Sequence, residues 1–283
     1  LSGGDMAGLN GTVTLGVAGG QDIVDATGNA MTSTAPTGTN DNTFVMDNTP
    51  PRVASVVRQT STNAFTNADS ITWRVTFNED VTGIDATKFG LTVPFDVNNG
   101  TITLSVAQIS ANIFDVTASG GDLIAMNGDV SLRIFTTVND VAFNTMADAT
   151  PTGTSELTYT VDNLPIDISG IYRFTPTDEK TNADTLIWVA AADLSSATEA
   201  GVDASTVSAG DFALTGPTGA TLSVSVENDF GNGSARITVT ASGGDLASYD
   251  GTATLGMAAG SSILDLAGNT VTTSLAQVVE TFD

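Results

Sequence analysis

Carboxylate and amide side chains supply the chemistry available to this sequence. It contains 32 Asp and Glu residues against 8 Lys and Arg residues, with no Cys and no His. Without thiols and imidazoles, Cys and His nucleophiles, zinc sites built on those ligands and disulfide bonds are excluded. Carboxylate and carbonyl oxygens are the ligands that Ca²⁺ takes. A hard cation is therefore the favoured partner, and the alternative is that most of the acids form a solvated acidic surface. A net charge of -24 disfavours nucleic acid and anionic membrane surfaces.

The acidic residues recur in a fixed pattern. An Asp is followed by an Asn four residues later at Asp25 and Asn29, at Asp140 and Asn144, and at Asp265 and Asn269. The tetrapeptide Ser-Gly-Gly-Asp occurs three times, beginning at Ser2, Ser119 and Ser242. Motifs that return in one order and register indicate a repeat of about 115 to 120 residues, which is the size of one β-sandwich domain.

Asp-Asn pairs followed by Pro mark the limits of the units. They stand at Asp47-Asn48 and Asp162-Asn163, and Pro lacks the N–H that a strand ladder requires. We therefore divide the chain into the last third of a repeat at 1–48 and complete repeats at 49–163 and 164–283. The partial unit is expected to be completed by upstream sequence or by a neighbouring molecule, because a half-domain alone does not bury a sandwich core.

The apolar pattern within a unit is that of strands. Short β-branched segments separated by turn clusters lie at 52–59, 70–78, 88–93, 101–109, 113–118, 129–134 and 156–162. Seven strands predict an all-β fold of tandem immunoglobulin-like β-sandwich domains arranged end to end. Trp73 and Trp188 occupy the same place in their units, which favours core packing over the alternative of a platform for sugar stacking.

Alternating strand directions sort the loops to the two ends of each domain, so that acids from neighbouring domains meet. At the second junction the predicted ligands are Asp162 and Asn163, joined by Asp69 or Asp122 before them and by Asp193 or Asp265 after. At the first junction they are Asp47 and Asn48, joined by Asp5 before them and by Asp80 or Asp140 after. Converging carboxylates repel one another unless a cation such as Ca²⁺ is bound. The alternative is that these residues form Asx-turns with their own backbone.

Three segments resemble the bacterial immunoglobulin-like repeats of very large surface proteins and adhesins. They are the linker at 45–51, the opening strand with its approach at 66–79 and the Asp-Leu-Ala-Gly-Asn loop at 265–269. The resemblance implies an extracellular, cell-surface location, sandwiches joined end to end and Ca²⁺ at the junctions. The last unit departs from the pattern, because Asn78-Glu79-Asp80 is replaced by the stretch around Ala191-Ala192-Asp193. A modified junction or a terminal role is expected there.

The repetition of the acids argues against an enzyme, because an active site would normally occur once in the chain. The first hypothesis is a spacer or stalk in an adhesin, whose partners are the neighbouring repeats. The second is a subunit of a self-assembling surface layer or extracellular filament. The third is a carbohydrate-binding module, which would need exposed aromatic residues, although only 6% of residues are aromatic. No apolar run approaches the roughly 18 residues of a membrane span, so no membrane insertion is expected.

Overall fold

A computed structural model of the chain describes residues 4–60, 62–94, 101–194, 200–229 and 233–283. Within these ranges the regular elements are β-strands and short 3₁₀-helices, and no α-helix is present. The predicted all-β fold class is confirmed. Across the same part of the chain, none of the helices has the length and apolar character required to traverse a lipid bilayer.

Nineteen strands are described, and every strand pairing among them lies within one of the three units. The 1–48 unit contains β1 (Gly11–Thr14) and β2 (Thr43–Met46). The 49–163 unit contains β3 (Val53–Arg58), β4 (Phe65–Thr66), β5 (Ser70–Phe77), β6 (Val81–Thr82), β7 (Phe89–Thr92), β8 (Thr103–Ser110), β9 (Ile113–Ser119), β10 (Gly128–Ile134), β11 (Asn139–Asp140) and β12 (Thr158–Val161). The 164–283 unit contains β13 (Asp167–Thr175), β14 (Thr185–Asp193), β15 (Phe212–Thr215), β16 (Thr221–Asp229), β17 (Ser234–Ser242), β18 (Thr254–Met257) and β19 (Thr272–Val279).

Short 3₁₀-helices occupy several of the connections between strands. They are Gly4–Gly8, Ala86–Lys88, Gly121–Ile124, Ala209–Asp211 and Leu246–Ser248. The first, third and fifth follow or overlap the three Ser-Gly-Gly-Asp motifs. This motif therefore forms a tight connection before the next strand, as its two glycines predict.

The 49–163 unit is a sandwich of two four-stranded sheets, ordered β3-β5-β9-β8 and β4-β12-β10-β7. Burial alternates along β5, where Ile71, Trp73, Val75 and Phe77 are buried and the residues between them are partly exposed. This is the period of two expected for a strand with one face in a core. The ring of Trp73 meets that of Tyr159 edge to face with centroids 5.2 Å apart, which joins the two sheets.

The 164–283 unit repeats this core with a different strand arrangement. A five-stranded sheet in the order β16-β17-β14-β13-β19 accompanies the two-stranded sheet β15-β18. Trp188 packs edge to face on Phe282 at 4.9 Å, and both side chains are buried. The prediction that both tryptophans are core residues is confirmed, so neither is available as a platform for sugar stacking.

Candidate metal centre

Three carboxylates converge where the first two units meet. Asp47 follows β2, Glu79 lies in the connection between β5 and β6, and Asp140 ends β11. Each side chain offers an oxygen, and these three oxygens lie within 4.8 Å of one another. Asp140 is only 1% exposed, and the other two are partly buried. Within the described ranges this is the one group of three or more acidic side chains that is close enough to share a metal ion.

A tight hairpin fixes the position of Asp140. The backbone N–H of Asn144 donates to Asp140 Oδ1 at 2.8 Å, and Asn144 Nδ2 donates to Asp140 Oδ2 at 2.8 Å. The same two bonds occur between Asn269 and Asp265, at 2.8 and 2.9 Å, and between Asn29 and Asp25, at 2.9 and 2.9 Å. The four-residue spacing in the sequence is therefore the signature of this hairpin.

The electrostatics of the cluster favour a positive partner. Partial burial raises the pKa of Glu79, and the charges of Asp47 and Asp140 raise it further. Both effects arise because the ionised form is poorly solvated and faces like charges. A divalent cation would relieve this repulsion. Three carboxylates provide fewer oxygens than the six to eight that Ca²⁺ takes, so backbone carbonyls or water would complete its coordination.

The Asp140 hairpin also holds the first linker directly. Asn144 Nδ2 donates to the backbone oxygen of Asp47 at 3.0 Å, so one amide group contacts both the hairpin acid and the preceding unit. Asp47 Oδ1 accepts the N–H of Thr49 at 3.0 Å, which is an Asx-turn. The geometry therefore contains the turn chemistry that was the alternative to a metal, and it also brings the carboxylates together.

At the second junction, backbone amides satisfy the corresponding acid. Asn269 Nδ2 donates to the backbone oxygen of Asp162 at 2.9 Å, as Asn144 does to Asp47. The carboxylate of Asp162 is buried and accepts N–H groups from Leu164 at 3.0 Å and from Ala200 at 2.7 Å. The backbone N–H of Asn67 donates to the backbone oxygen of Ala267 at 3.0 Å, and Asn67 Nδ2 donates to Asn269 Oδ1 at 3.0 Å. This junction is held by direct hydrogen bonds.

The repeat register explains why the two junctions differ. Trp73 corresponds to Trp188, and in the same register Glu79 corresponds to Leu194, which is buried in the core of the last unit. The third carboxylate is thereby replaced by an apolar side chain. Burial raises the pKa of Asp265, and the charge of Asp162 adds to this, while the hydrogen bonds from Asn269 oppose it.

Several predicted ligands have other roles in the structure. Asn48 and Asn163 stabilise the Asn-Gly turns of their own units. Their Nδ2 groups donate to the backbone oxygens of Leu9 at 2.7 Å and of Met126 at 2.9 Å, respectively. Asp69 and Asp80 are exposed. The side chains of Asp5, Asp122 and Asp193 lie outside what the structure describes.

Sequence reasoning selected Asp80 from the stretch Asn78-Glu79-Asp80, whereas the structure brings Glu79 to the cluster. The carboxylates of Asp47 and Asp140 were predicted to meet, and the structure places them together. A signal for Glu79 was available in the sequence. In the repeat register Leu194 replaces it in the last unit, and the second junction lacks the third acid.

Comparison with known proteins finds remote structural likenesses, of which two are described here. No protein-family model matches the chain, and no curated protein matches it. The N-terminal part of the bacterial S-layer protein SbsC aligns with 79% of this chain at 13% identity and a TM-score of 0.26, and the chain covers 44% of that structure. The extracellular portion of mouse CD200RLa aligns with 79% of this chain at 12% identity and a TM-score of 0.23, with 96% of that structure covered. At these scores neither likeness carries a functional argument.

Proposed function

We propose that this chain is a structural repeat region of a large extracellular bacterial surface protein, where it acts as an extended spacer or stalk in adhesion. The observation that supports this is the repeated junction bond. Asn144 binds the backbone of Asp47, and Asn269 binds the backbone of Asp162, in the same geometry. A bond that recurs in register docks each unit on its predecessor in a similar orientation, as a spacer requires.

The shortness of the linkers supports the same proposal. Six residues separate the end of β2 at Met46 from the start of β3 at Val53, and five separate Val161 from Asp167. Several of these residues are themselves hydrogen bonded, so neither linker is a flexible tether. The extracellular location is proposed from the resemblance to surface-protein repeats. The acidic surface favours solubility and disfavours nonspecific binding to polyanions.

We further propose that Ca²⁺ binds at the first junction through Asp47, Glu79 and Asp140. Asp47 belongs to the linker, whereas Glu79 and Asp140 belong to the following unit, so the full set of ligands exists only when the two are docked. Binding is thereby linked to the docked state and stabilises it by mass action. The second junction, where Leu194 replaces the third acid, is expected not to respond.

The test uses the full chain and two single substitutions in one loop. Glu79→Leu copies the residue of the second junction and removes one proposed ligand. Asp80→Asn removes a neighbouring exposed charge and serves as the matched control. Isothermal titration with Ca²⁺ should give saturable binding for the wild type and Asp80→Asn, and a loss of at least about tenfold in affinity for Glu79→Leu.

Hydrogen exchange should locate the effect of the metal. Slower exchange on Ca²⁺ addition is expected at the first linker and in the Asp140 hairpin, but not around Asp162. Equal Ca²⁺ responses from all three proteins, or no response from the wild type, would remove Ca²⁺ from the proposal. The spacer role would then rest on the hydrogen-bonded junctions alone.

A second candidate function is a subunit of a surface layer or filament. The observation that favours it is an open apolar face on the 1–48 unit, which is a surface suited to assembly with another polypeptide. Light scattering of the full chain over a range of concentrations separates the two roles. A spacer remains monomeric, whereas a layer or filament subunit grows in mass.

A further inference from the structure

The 1–48 unit presents a face that the other two units bury. The pairing of Gly11 with Met46 repeats that of Gly128 with Val161, and this register makes Phe44 the equivalent of Tyr159. In the last unit the bridge between Ala253 and Phe282 occupies the same place. Three aromatic residues thus hold one position in three copies of the repeat.

Their exposures differ sharply. Tyr159 and Phe282 are 0% and 1% exposed, whereas Phe44 is 69% exposed. Leu15, which corresponds to the buried Leu132 and Leu255, is 68% exposed. Together with Met6, Val13 and Met46, these side chains line an apolar pocket of about 380 Å³. Contiguous exposed apolar surface of this kind is typical of an interaction site.

The complete units show what covers this face. Tyr159 packs against Trp73 and Phe282 against Trp188, each edge to face. The partner that Phe44 lacks is therefore a Trp on a strand equivalent to β5 or β14. Such an edge-to-face ring contact stabilises the packing beyond what the buried area contributes.

Among the described residues β1 pairs with β2 alone, and its other edge indicates a specific strand. In the second unit β7 pairs with β10, with Leu91 opposite Leu132 and Phe89 opposite Ile134. In the last unit β15 pairs with β18, with Leu214 opposite Leu255 and Phe212 opposite Met257. Both incoming strands have the pattern Phe-small-Leu-Thr. The same register on β1 would place Leu opposite Leu15 and Phe opposite Val17.

A separate observation comes from the hairpin of the next unit. Phe143 is 81% exposed and has a φ of 69°, at the position where the equivalent hairpins have Gly28 and Gly268. A bulky residue in this conformation is strained. At the second junction the hairpin oxygen of Ala267 accepts the N–H of Asn67, from the turn before β5. In the described part of the 1–48 unit no such turn is present, so Phe143 borders the place where it would lie.

We infer that the face formed by Val13, Leu15, Phe44 and Met46 is a docking surface for a Trp-bearing, sheet-forming polypeptide with the sequence pattern of residues 49–118. That polypeptide completes the sandwich by facing Phe44 with its Trp and by adding a Phe-small-Leu-Thr strand to the edge of β1. Strand addition at an open edge supplies main-chain hydrogen bonds, and the side chains supply specificity. A second copy of this chain is a poorer occupant, because its own tryptophans are buried in their units.

The experiment adds a separate polypeptide of sequence 49–118 to the full chain. Binding is expected by titration calorimetry, with slower hydrogen exchange in β1 and β2. Phe44→Asp should weaken binding about tenfold or more, because it places a charge against the incoming Trp. Val45→Asp is the matched control, since Val45 is 79% exposed but lies on the opposite face of the same strand. Trp73→Ala in the added polypeptide should weaken binding like Phe44→Asp.

A covalent version guards against aggregation of the added polypeptide. Residues 49–118 are joined directly in front of Ser2, which reproduces the order found at Ala118 and Ser119. Protection of β1 and β2 is expected in this chain, and it should be lost with Phe44→Asp and kept with Val45→Asp. Absence of protection in both formats would overturn the inference. Concentration-dependent dimerisation of the unmodified chain that Phe44→Asp abolishes would also overturn it, by assigning the face to a second copy.

Discussion

At the residue scale, the Asn of the Asp-to-Asn hairpin has two roles: it stabilises its own hairpin, and in two of the three units it also binds the preceding linker. Asn144 and Asn269 donate to their hairpin Asp and to the backbone of the preceding linker, whereas Asn29 donates within its own hairpin, to Asp25 and Thr27. The same residue type in the same turn thus provides an internal control for docking.

We predict that Asn144→Ala loosens the first junction. It removes a bond to a linker carbonyl and one to a buried carboxylate, with an expected cost of about 1–3 kcal/mol. Hydrogen exchange at residues 47–52 should accelerate, while the core around Trp73 keeps its protection. Asn29→Ala should disturb only its own hairpin. Similar linker exchange in the two variants would contradict a junction role for Asn144.

The raised pKa of Asp265 predicts a pH effect at the second junction. An acid whose pKa is higher in the folded than in the unfolded state binds more protons when folded, so its contribution to stability rises as pH falls through the folded-state pKa. The acids with lowered pKa, among them Asp85 and Asp148, act in the opposite direction. Urea unfolding between pH 4 and 7 should therefore be compared with that of Asp265→Asn. The variant should lack the gain at lower pH, and equal pH slopes for the two proteins would contradict this assignment.

The sequence predicted much of the site but not its final composition. Spacing alone singled out Asp140 and Asp265, and the structure gives the reason, because both begin a local turn whose hydrogen bonds span four residues. The sequence predicted both Asp47 and Asn48 as ligands. In the structure the side-chain amide of Asn48 instead donates to a backbone carbonyl 39 residues away in sequence. Contacts of that range depend on how the strands are paired, which the sequence of one loop does not contain.

At the element scale, strand periodicity carried most of the information. The seven segments predicted for the 49–163 unit correspond to β3, β5, β7, β8, β9, β10 and β12. The two-residue strands β4, β6 and β11 were not predicted, because so short a segment has no period. Nor does the pattern within one strand determine which strands lie beside it. The parallel pairing of β13 with β19, for example, joins two segments that are far apart in sequence.

The equivalent strands β5 and β14 each carry one buried Trp, so that the same substitution can be compared in two units. Trp188 Nε1 donates to the backbone oxygen of Glu280 at 3.0 Å, whereas Trp73 Nε1 is buried without a hydrogen-bond partner. Trp188→Phe should therefore destabilise its unit more than Trp73→Phe does, by about 1 kcal/mol, because it leaves a carbonyl unpaired. Guanidinium unfolding of both variants of the full chain tests the order. A larger loss for Trp73→Phe would contradict the hydrogen-bond argument.

At the scale of the whole molecule, the three units share one hairpin but differ in what surrounds it. The 1–48 unit has an open face, the first junction gathers three carboxylates, and at the second backbone amides satisfy Asp162 while Leu194 lies in the core of the last unit. The hairpin is repeated, but single residues around it are replaced, and the two junctions of the chain therefore differ in chemistry. This is the physical basis for expecting a metal response at one junction and none at the other.

The net charge of -24 predicts a second, unspecific response to salt that must be separated from the metal site. Monovalent salt screens repulsion among exposed acids, because the Debye length falls from about 10 Å at 0.1 M to about 3 Å at 1 M. Melting temperature should thus rise gradually with NaCl in the wild type and in Glu79→Leu alike. Ca²⁺ at low concentration in a background of about 0.15 M NaCl should raise it further only in the wild type, with saturation. If Glu79→Leu gains as much from Ca²⁺ as the wild type does, the metal acts by screening, and the three carboxylates are a solvated acidic cluster.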